Sequence, residues 1–447
     1  MKLEEHPTVK QVLSRALPPV CVMPQPLDTD WLKHLVLEAG ADDVGFVDFD
    51  RPELADQLET ILNAFPCTKT LISFVVRMNR EAIKTPARSV SNLEFHHTGD
   101  QVNEIARHVV RVLENKGIRA MNPAMGFPME MGEFPDGDKI WIVSHKPVAV
   151  AAGLGMMGMH RNVIHPIFGN FILLGTILID YEVASYSQPI DYNPCLECKL
   201  CVAACPVGAI STSGDFNFSA CYTHNYREFM GGFTDWVETV VDSPSAVKYR
   251  SKVTDSESAS LWQSLAFGPN YKAAYCLSVC PAGEDVIGPY LADKKTHLKE
   301  TVRPLQAKEE TIYVLKNSDA EEHVVKRFPQ KRIKQVGNSL RASTIAGFLR
   351  GVKLTFQPGK SLGLKAIYHF TFTGDEQRQA TIMVRNQQLS VYEGYVGKPD
   401  LHIIADAKTW LGFLKKERFI VWALLRGKIR LRGPLKLLIA FGKCFPE

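Results

Sequence analysis

Seven cysteines between residues 195 and 280 constrain this chain more than any other feature. Four of them form one run, Cys195-x-x-Cys198-x-x-Cys201-x-x-x-Cys205-Pro206. This spacing is typical of iron–sulfur ligands, because a short turn presents three sulfurs to one cluster while the fourth cysteine points into a second cluster. Further ligands come from a second motif, Cys276-x-x-x-Cys280-Pro281. The sequence therefore predicts two iron–sulfur clusters in a ferredoxin-like arrangement.

The second cluster lacks one cysteine. The first cluster would take Cys195, Cys198, Cys201 and Cys280, and the second would take Cys205, Cys221 and Cys276. A complete second motif would carry cysteines at the positions of Asn270 and Ala273. Three outcomes stay open for the second cluster: a non-cysteine residue such as His224 is the fourth ligand, the cluster has a 3Fe–4S form, or one iron has no protein ligand. The second cluster could also be absent. Cys21, Cys67 and Cys444 lie outside both sets and are interpreted as small apolar residues.

Composition indicates an ordinary globular protein. At 447 residues, with 45% hydrophobic and 22% charged residues, the chain is long enough for about two to four domains. A net charge of +4 is too small to argue for a nucleic-acid partner. The chain has ten cysteines, and the spacing of seven of them as metal ligands indicates a reducing compartment. The N-terminus lacks an apolar export signal, and the apolar stretches are too short to span a bilayer, so a cytoplasmic location is expected.

Helix-like and strand-like segments alternate in the first third of the chain. Helices are predicted at Asp28–Ala39, Glu53–Ala64 and Asp100–Lys116, and strands at Val44–Val47 and Thr70–Val76. His96 and His97 lie just ahead of the third predicted helix. Adjacent histidines cannot share one helix face, so a shared metal is disfavoured. They are either ordinary surface residues or one of them lines a pocket, and His97 is a candidate proton donor.

Residues 141–180 form an apolar region rich in glycine. Gly153, Gly155 and Gly158 match a dinucleotide-binding fingerprint, but Pro166 and Gly169 interrupt the helix that this fingerprint requires. Glycines at such positions instead allow a close approach of backbone to another strand or to a flat cofactor. The region also holds candidate polar donors, among them His145, Lys146 and His160. His145 and Lys146 are predicted catalytic residues, and His160 a cofactor-binding residue.

Downstream of the cysteines the pattern changes twice. Residues 296–336 are charged and are predicted to be a linker with a hairpin, turning at Asn317-Ser318-Asp319. Residues 337–447 are predicted to form a separate α+β domain. Its expected elements are a helix near Leu340–Leu349, strands Ala366–Thr373, Gln379–Val384 and Leu389–Tyr392, a helix near Thr409–Leu414 and a helix from Leu435.

Part of the chain resembles a known superfamily. The stretch AGLGMMGMHRNVIHPIFGNFILLGTILID, followed by the Cys195 run and by CLSVCP, resembles the corrinoid-dependent reductase superfamily of reductive dehalogenases and epoxyqueuosine reductases. The resemblance implies a nitroreductase-like α/β core that holds cobalamin, with two clusters that reduce its cobalt. By position, Gly153, Gly155, Gly158 and His160 would border the corrinoid. Ser144-His145-Lys146-Pro147 replaces the Asp-Ser-Ala-Pro-type segment of the epoxyqueuosine enzymes, which argues against a tRNA substrate.

The C-terminal segment resembles a sterol-carrier-protein-type lipid-binding fold. The resemblance rests on segments 370–376, 379–393, 399–403 and 427–433, and implies an apolar tunnel. The stretch from Phe413 to Lys443 holds nine Lys or Arg residues and one acidic residue, Glu417. This basic stretch would then face anionic headgroups or an acyl-carrier acid. The alternative is a solvated basic face over a filled core. The expected fold class is α+β, with a nitroreductase-like core at 1–190, a ferredoxin-like insert at 191–295, a charged linker at 296–336 and a sterol-carrier-type domain at 337–447.

Two functional hypotheses follow. The first is a cytoplasmic iron–sulfur, cobalamin-dependent reductase of an apolar or lipid-like substrate, fed by an external ferredoxin or flavodoxin, with no nucleic-acid partner and possible peripheral membrane contact. The second is an electron-relay and lipid-binding protein with clusters but neither corrinoid nor catalysis. Modification of tRNA ranks third, since the N-terminal half shows no basic stripe. The sequence does not identify the substrate or the oligomeric state.

Overall fold

The computed structural model describes residues 2–14, 26–131, 141–415 and 420–446. Cys21 lies outside these ranges. Within them the strands form a four-stranded sheet, a five-stranded sheet and two pairs of strands. This mixed architecture confirms the predicted α+β class.

A four-stranded antiparallel sheet organises the N-terminal region. The helices are α1 (Pro7–Ser14), α2 (Thr29–Glu38), α3 (Leu58–Ala64), α4 (Arg80–Lys84), α5 (Arg88–Asn115) and α6 (His145–Ala151). The strands are β1 (Asp43–Asp48), β2 (Thr70–Arg77), β3 (Ala120–Met121), β4 (Met156–Met157), β5 (Val163–Ile164) and β6 (Ile172–Ile179). The sheet order is β1-β2-β6-β3, and β4 pairs with β5 as a separate hairpin.

The two central strands are buried along nearly their whole length because helices cover both faces of the sheet. Strands β2 and β6 are continuous apolar runs, as expected for strands without a solvent face. Helices α2 and α5 pack on one face, and α3 and α6 pack on the other. The predicted strands at 44–47 and 70–76 and the helix at 28–39, which Asp28 caps, are confirmed.

Two predictions in this region were wrong in their bounds. The helix predicted at Glu53–Ala64 is divided into a short 3-10 turn, Pro52–Leu54, and α3. Helix α5 begins at Arg88 and not at Asp100, so His96 and His97 lie inside it. Its first turns bury polar side chains such as Ser91 and Asn92 in place of apolar ones, and therefore carry no helical hydrophobic pattern.

Short helices hold the cysteine-rich insert. They are α7 (Leu200–Ala204), α8 (Phe218–Asn225), α9 (Gly231–Val241), α10 (Ala246–Lys252), α11 (Asp255–Phe267), α12 (Tyr275–Ser278), α13 (Gly288–Ala292), α14 (Lys294–His297) and α15 (Arg303–Ala307). Apolar residues from α7 and α12 share one small core with Val302 and Leu305. The two cysteine motifs are therefore packed against each other.

The segment predicted as a linker with a hairpin is a βαβ unit. Strand β7 (Thr311–Leu315) pairs in parallel with β8 (Arg332–Val336), and α16 (Asp319–Arg327) connects them. The Ser318 side chain accepts the Glu321 N–H and starts the helix where a turn was expected. Ile312, Val314 and Val324 pack against Cys205 and Val207, so this segment forms part of the insert's core.

The C-terminal region is a five-stranded sheet covered by helices. Its elements are α17 (Ile345–Thr355), β9 (Ala366–Thr373), β10 (Arg378–Arg385), β11 (Gln388–Glu393), β12 (Leu401–Asp406), α18 (Ala407–Leu414), α19 (Ile420–Leu425), β13 (Ile429–Arg432) and α20 (Leu435–Lys443). The sheet order is β11-β10-β9-β12-β13, with β9 and β12 parallel. The predicted strands are confirmed within two residues. Large aromatic side chains, including Tyr368, Phe370 and Trp410, fill the interior.

In the ranges that the structure describes, none of the helices combines the length and the apolar character needed to span a bilayer.

Candidate iron–sulfur centre and cofactor cavity

Four cysteines surround one small cavity in the insert. Cys195, Cys198 and Cys201 line it from the first motif, and Cys280 closes it from the second. The chain reverses between these ligands because Glu197 and Lys199 adopt left-handed backbone conformations. Burial raises the pKa of the Cys201 thiol to about 12, and neighbouring sulfurs add to the effect. Burial raises the pKa of the Cys198 and Cys280 thiols as well, so binding of iron to these three sulfurs would release protons.

No three His, Cys, Asp or Glu side chains of the described ranges converge on a single metal ion. The four sulfurs instead enclose a space, as a multi-iron cluster requires. Backbone N–H groups of Leu200 and Val202 point at Cys198 and Cys201. Hydrogen bonds of this kind to cysteine sulfur favour the thiolate form that ligates iron.

The second set of cysteines faces a larger cavity. Cys205, Cys221 and Cys276 all line its wall. Burial raises the pKa of the Cys276 thiol to about 12, and the sulfurs of Cys205 and Cys201 raise it further. The same mutual effect joins Cys221 to Cys205 and Cys276, so the three thiols lie close together. The Ala209 N–H donates to Cys205 Sγ over 3.3 Å.

The large cavity has a volume of about 1190 Å³ and a mainly apolar wall. Strand β6 forms its floor with Ile172, Leu173 and Leu174, and α5 contributes Phe95 and Gly99. Pockets for drug-sized ligands usually occupy about 300–1,000 Å³, so this cavity suits a larger molecule. Its size and its apolar wall fit a corrinoid.

Lys146 places a cation in this cavity. Its Nζ donates to the Arg161 carbonyl over 2.7 Å and to Asn162 Oδ1 over 3.0 Å. The side chain is accessible from the cavity, but protein surrounds it, and this burial lowers the pKa of the ammonium. The nearby sulfurs of Cys276 and Cys221 act in the opposite direction. Lys146 is thus a proton-bearing group beside the second cysteine set.

His145 is not arranged as a proton donor. Its Nδ1 contacts Thr176 Oγ1 at 2.9 Å, and its Nε2 contacts the Ala124 carbonyl at 3.0 Å. Because the carbonyl can only accept, Nε2 carries the proton, and Nδ1 accepts from the threonine hydroxyl. Both ring nitrogens are thus hydrogen-bonded within the protein, and the catalytic role of His145 stays a prediction.

His97 also differs from its predicted role. Inside α5 it lies about 100° around the helix from His96, and it is exposed. His96 lines the large cavity, and its Nε2 contacts the Pro269 carbonyl at 2.8 Å. Of the two histidines, His96 is therefore the one that borders the apolar cavity.

His160 lies between the two cavities. It lines both the small cysteine cavity and the large cavity, and it is 4% exposed. Its Nδ1 accepts the Asn162 N–H, so the proton of the neutral ring is on Nε2, which has no hydrogen-bond partner. Burial and the charge of Lys146 lower the pKa of His160 to about 4. A neutral donor is thus available to a group bound in either cavity.

The three glycines of the predicted cofactor border pack against protein instead. A Cβ on Gly153 would lie 2.3 Å from the Gln188 carbonyl oxygen, and one on Gly155 would lie 2.4 Å from the Ile164 carbonyl oxygen. A Cβ on Gly158 would meet the Ile164 side chain at 2.6 Å. Neighbouring backbone and the β4–β5 hairpin therefore make the close approach that these glycines permit.

Sequence reasoning missed the aromatic wall of the large cavity. The wall includes Phe95, Phe218, Tyr222, Tyr226 and Tyr271. The available signal was the spacing of Phe218, Tyr222 and Tyr226, which places them on one helical face. Such spacing is shared by ordinary core helices and does not by itself indicate a cavity.

A further cavity, more polar and with a greater volume of about 1470 Å³, adjoins the large cavity. The two cavities share Arg88, Asn92 and His96 among their lining residues. Three acidic side chains, Asp100, Glu257 and Glu310, face it. Basic or histidine side chains are more numerous there: Arg88, His96, His97, His224, Arg250, Lys252, Lys272, Lys308, Arg332 and Lys334. This charged cavity is suited to an anionic ligand.

Comparisons with known proteins match separate parts of the chain. Residues 189–211 match the 4Fe-4S binding domain, and residues 357–446 match the SCP-2 sterol transfer family. The epoxyqueuosine reductase of Shigella dysenteriae serotype 1 (strain Sd197) is 25% identical over 240 residues, which cover 48% of this chain and 62% of that protein. That of Staphylococcus aureus (strain NCTC 8325 / PS 47) is 32% identical over 80 residues, 18% of this chain and 20% of that one. The chain thus spans less than two thirds of the length of these relatives.

Two solved structures match parts of the chain with TM-scores below 0.5. An epoxyqueuosine reductase bound to a tRNA-Tyr stem loop has a TM-score of 0.32 at 18% identity, covering 43% of this chain and 56% of that chain. A reductive dehalogenase described as B12-dependent has a TM-score of 0.36 at 15% identity, covering 69% of this chain and 40% of that chain. The chain therefore combines a region similar to epoxyqueuosine reductases, a 4Fe-4S binding segment and a C-terminal SCP-2-type domain.

Proposed function

We propose that this protein is a cytoplasmic iron–sulfur reductase that binds a corrinoid in the large cavity and reduces an apolar, lipid-like substrate. One observation carries the proposal: the apolar cavity shares its wall with the second cysteine set. When bound, clusters supply electrons one at a time, and a corrinoid supplies a cobalt centre of low valence. An external ferredoxin or flavodoxin would provide the electrons.

The protein's own side chains would bind the substrate, exclude water and hold a proton. Aromatic side chains such as Tyr226 and Tyr271 bind apolar surface and keep the cavity dry. Lys146 holds its proton at Nζ, inside the cavity and beside Cys276 and Cys221. An ammonium whose pKa is lowered by burial gives up a proton more readily than a lysine in water.

The test is retention of corrinoid by protein purified anaerobically with added hydroxocobalamin. We expect near-stoichiometric corrinoid in the wild type and loss of corrinoid in Val150→Trp, which fills the cavity from α6. The matched control is Val90→Trp on the exposed side of α5, with Val90 46% exposed. A wild type that loads iron and sulfide but never retains corrinoid would refute the proposal and favour the electron-relay alternative.

Ligation of the first cluster is tested separately by Cys198→Ser, with Cys67→Ser as its control. Cys198 lines the small cavity, whereas Cys67 packs beside the core around α3 and α6. We expect the serine variant at 198 to lose about half of the iron and sulfide, because one of two clusters loses a ligand. Unchanged iron and sulfide content in Cys198→Ser would contradict the assignment of the small cavity.

The C-terminal domain supports the choice of a lipid-like substrate. Residues 357–446 match the SCP-2 sterol transfer family, and Leu354, just before this segment, lines the large cavity. An apolar ligand carried by this domain would therefore be released close to the reductive site. Co-purified lipid, extracted and identified by mass spectrometry, tests this step. Protein without co-purified lipid, even when expressed with an excess of sterols and fatty acids, would argue against it.

A second candidate substrate is a nucleoside carried by tRNA. The charged cavity, with its excess of basic side chains, supports this alternative, as does similarity to proteins named epoxyqueuosine reductase. Binding of tRNA that weakens steeply with salt, and that is lost in Arg250→Glu combined with Lys252→Glu, would favour it. Absence of tRNA binding at low salt would exclude it.

A further inference from the structure

The two cysteine motifs have the same local backbone. Cys198-x-x-Cys201-x-x-x-Cys205-Pro206 corresponds position by position to Ala273-x-x-Cys276-x-x-x-Cys280-Pro281. In the first motif the residue after Cys198 is left-handed, with Lys199 at φ 61° and ψ 17° directly before α7. In the second motif the residue after Ala273 is also left-handed, with Ala274 at φ 54° and ψ 27° directly before α12.

This correspondence defines the place of the missing ligand. The left-handed conformation is unfavourable for an alanine, yet the second motif keeps it at Ala274 although Ala273 has no sulfur. The Ala273 methyl group therefore lies where the first motif presents Cys198. Ala273 lines the large cavity together with Cys205, Cys221 and Cys276.

His224 does not replace the absent cysteine. It lies one helical turn after Cys221 in α8, and its Nε2 has no hydrogen-bond partner, so it is the obvious candidate. However, its Nδ1 accepts the Tyr313 N–H over 3.3 Å. The proton of the neutral ring therefore occupies Nε2, which can donate a hydrogen bond but has no lone pair for iron.

The other cysteines of the described residues are too far away to contribute. Cys67 packs at the edge of the core around α3 and α6, and Cys444 lies in the core of the C-terminal domain. Cys195, Cys198, Cys201 and Cys280 surround the separate small cavity. Cys21 lies outside the described residues and is therefore included in the experiment.

We propose that the second cluster is held by only three cysteines, Cys205, Cys221 and Cys276, and keeps one iron without a protein thiolate, open to the large cavity at Ala273. This inference rests on the same cluster assignment as the proposed function, but not on the corrinoid. The open iron would take a small anionic or hydroxyl oxygen ligand.

Two polar side chains favour such a ligand. The sulfurs of Cys221 and Cys276 act electrostatically on both Lys146 and Tyr226, and both of these side chains line the cavity. Two of the three Nζ hydrogens of Lys146 are used by Arg161 and Asn162, which leaves one for an anion. A ligand on the open iron would thus be held from the cavity side by a cation and a phenol.

The experiment is mild oxidation of anaerobically prepared protein, followed by electron paramagnetic resonance. Ferricyanide removes one electron from an open 4Fe–4S cluster, one Fe²⁺ leaves, and an oxidised 3Fe–4S cluster remains. We expect about one 3Fe–4S signal per wild-type chain and its disappearance when Fe²⁺ and dithionite are added. Ala273→Cys supplies the fourth thiolate and should reduce the signal at least fivefold.

Two further variants make the result decisive. Cys205→Ser should lose the cluster that converts to 3Fe–4S and keep the other cluster. This variant tests the assignment even if Ala273→Cys fails to fold. Cys21→Ser should convert like the wild type. A wild type that gives no 3Fe–4S signal while holding two clusters overturns the inference, as does loss of conversion in Cys21→Ser. Conversion in protein that never binds corrinoid would refute the proposed function and leave this inference standing.

Discussion

At the scale of single residues, buried charges in the insert are paired, and their pairing can be measured. The Lys331 side chain is 1% exposed, and its Nζ donates to Glu310 Oε1 over 2.7 Å and to the carbonyls of Leu305 and Lys308. Burial tends to raise the pKa of Glu310, but the bonds from Lys331 and Tyr275 prevail and lower it. This group of side chains joins α12, α15 and the start of β7.

Replacing Glu310 by Gln should destabilise the protein by about 3 kcal/mol, because a buried ammonium loses its counter-charge. The pKa of Glu310 is lower in the folded protein than its ordinary value of 4.5. Its contribution to the free energy of unfolding is therefore present above pH 4.5 and is lost as the pH falls through the pKa of the folded state. Urea unfolding at pH 7 and pH 4 should show a smaller difference between variant and wild type at pH 4. Glu182→Gln, from the exposed pair with Lys69, should cost less than 1 kcal/mol. Equal effects of the two variants would contradict the argument.

The unpartnered Nε2–H of His160 leads to a redox prediction. Hydrogen bonds donated to cluster sulfur raise the reduction potential, and His160 lines the cavity of the first cluster. His160→Leu should therefore make the potential of that cluster more negative. The measurement is a redox titration followed by electron paramagnetic resonance, with the exposed His108→Leu as control. An unchanged potential in His160→Leu would mean that the donor faces only the large cavity.

At the scale of elements, the turn after α6 depends on backbone that only glycine tolerates. Gly153 has φ +73° and meets the Gln188 carbonyl, whereas Gly363 has φ +77° and open space around the Cβ position. Both Ala variants carry the cost of a left-handed residue, roughly 1–2 kcal/mol. Gly153→Ala should therefore lower stability by about 2 kcal/mol more than Gly363→Ala, as measured by chemical unfolding. Equal losses would show that backbone strain alone matters at Gly153.

Elements with a strong local signal were predictable, and those defined by tertiary contacts were not. Strand β2 and the strands of the C-terminal sheet follow from uninterrupted or alternating apolar residues. The start of α5 was missed because its buried residues there are polar: Asn92 is bonded to Asn270 and Tyr271 of the insert, and Ser91 donates to the Ala82 carbonyl. The βαβ unit was mistaken for a hairpin because α16 is short and charged, with only Ala320 and Val324 buried.

In the candidate site, too, features set by local sequence were predictable, and features set by tertiary contacts were not. Cysteine spacing is local chemistry, so the two sets could be assigned from sequence. The roles of His145 and His97 depend on which way each ring points, and Thr176 and Ala124 decide this for His145 from distant parts of the chain. The glycines around Gly155 correctly indicated a close approach of backbone, but the sequence did not reveal that Ile164 makes this approach.

At the scale of the whole molecule, the C-terminal domain is bound to the insert through polar contacts. Arg341 forms two bonds with Glu238 of α9, at 2.5 and 2.7 Å, and Gly337 N donates to Asp235. Gln357 is 1% exposed, and its Oε1 accepts the Asp319 N–H. These contacts hold α17 next to α8 and the large cavity.

Reversing the charge in Glu238→Arg should loosen this docking by about 1.5 kcal/mol, which raises the undocked fraction about tenfold. Limited proteolysis between residues 337 and 344 should accelerate accordingly, without loss of iron. Asp375→Lys removes the exposed pair with Lys408 inside the C-terminal domain and serves as control. Identical cleavage rates in the two variants would show that the Arg341 pair does not hold the domain.

Leu354, from the C-terminal region, forms part of the wall of the large cavity. Although Leu354 is 44% exposed, it covers one side of the large cavity, whose other lining residues lie before residue 337. A gene cut near codon 337 would yield an N-terminal part whose large cavity is open on that side. Dioxygen would then reach low-potential metal there, and the severed half should bleach in air faster than the intact chain.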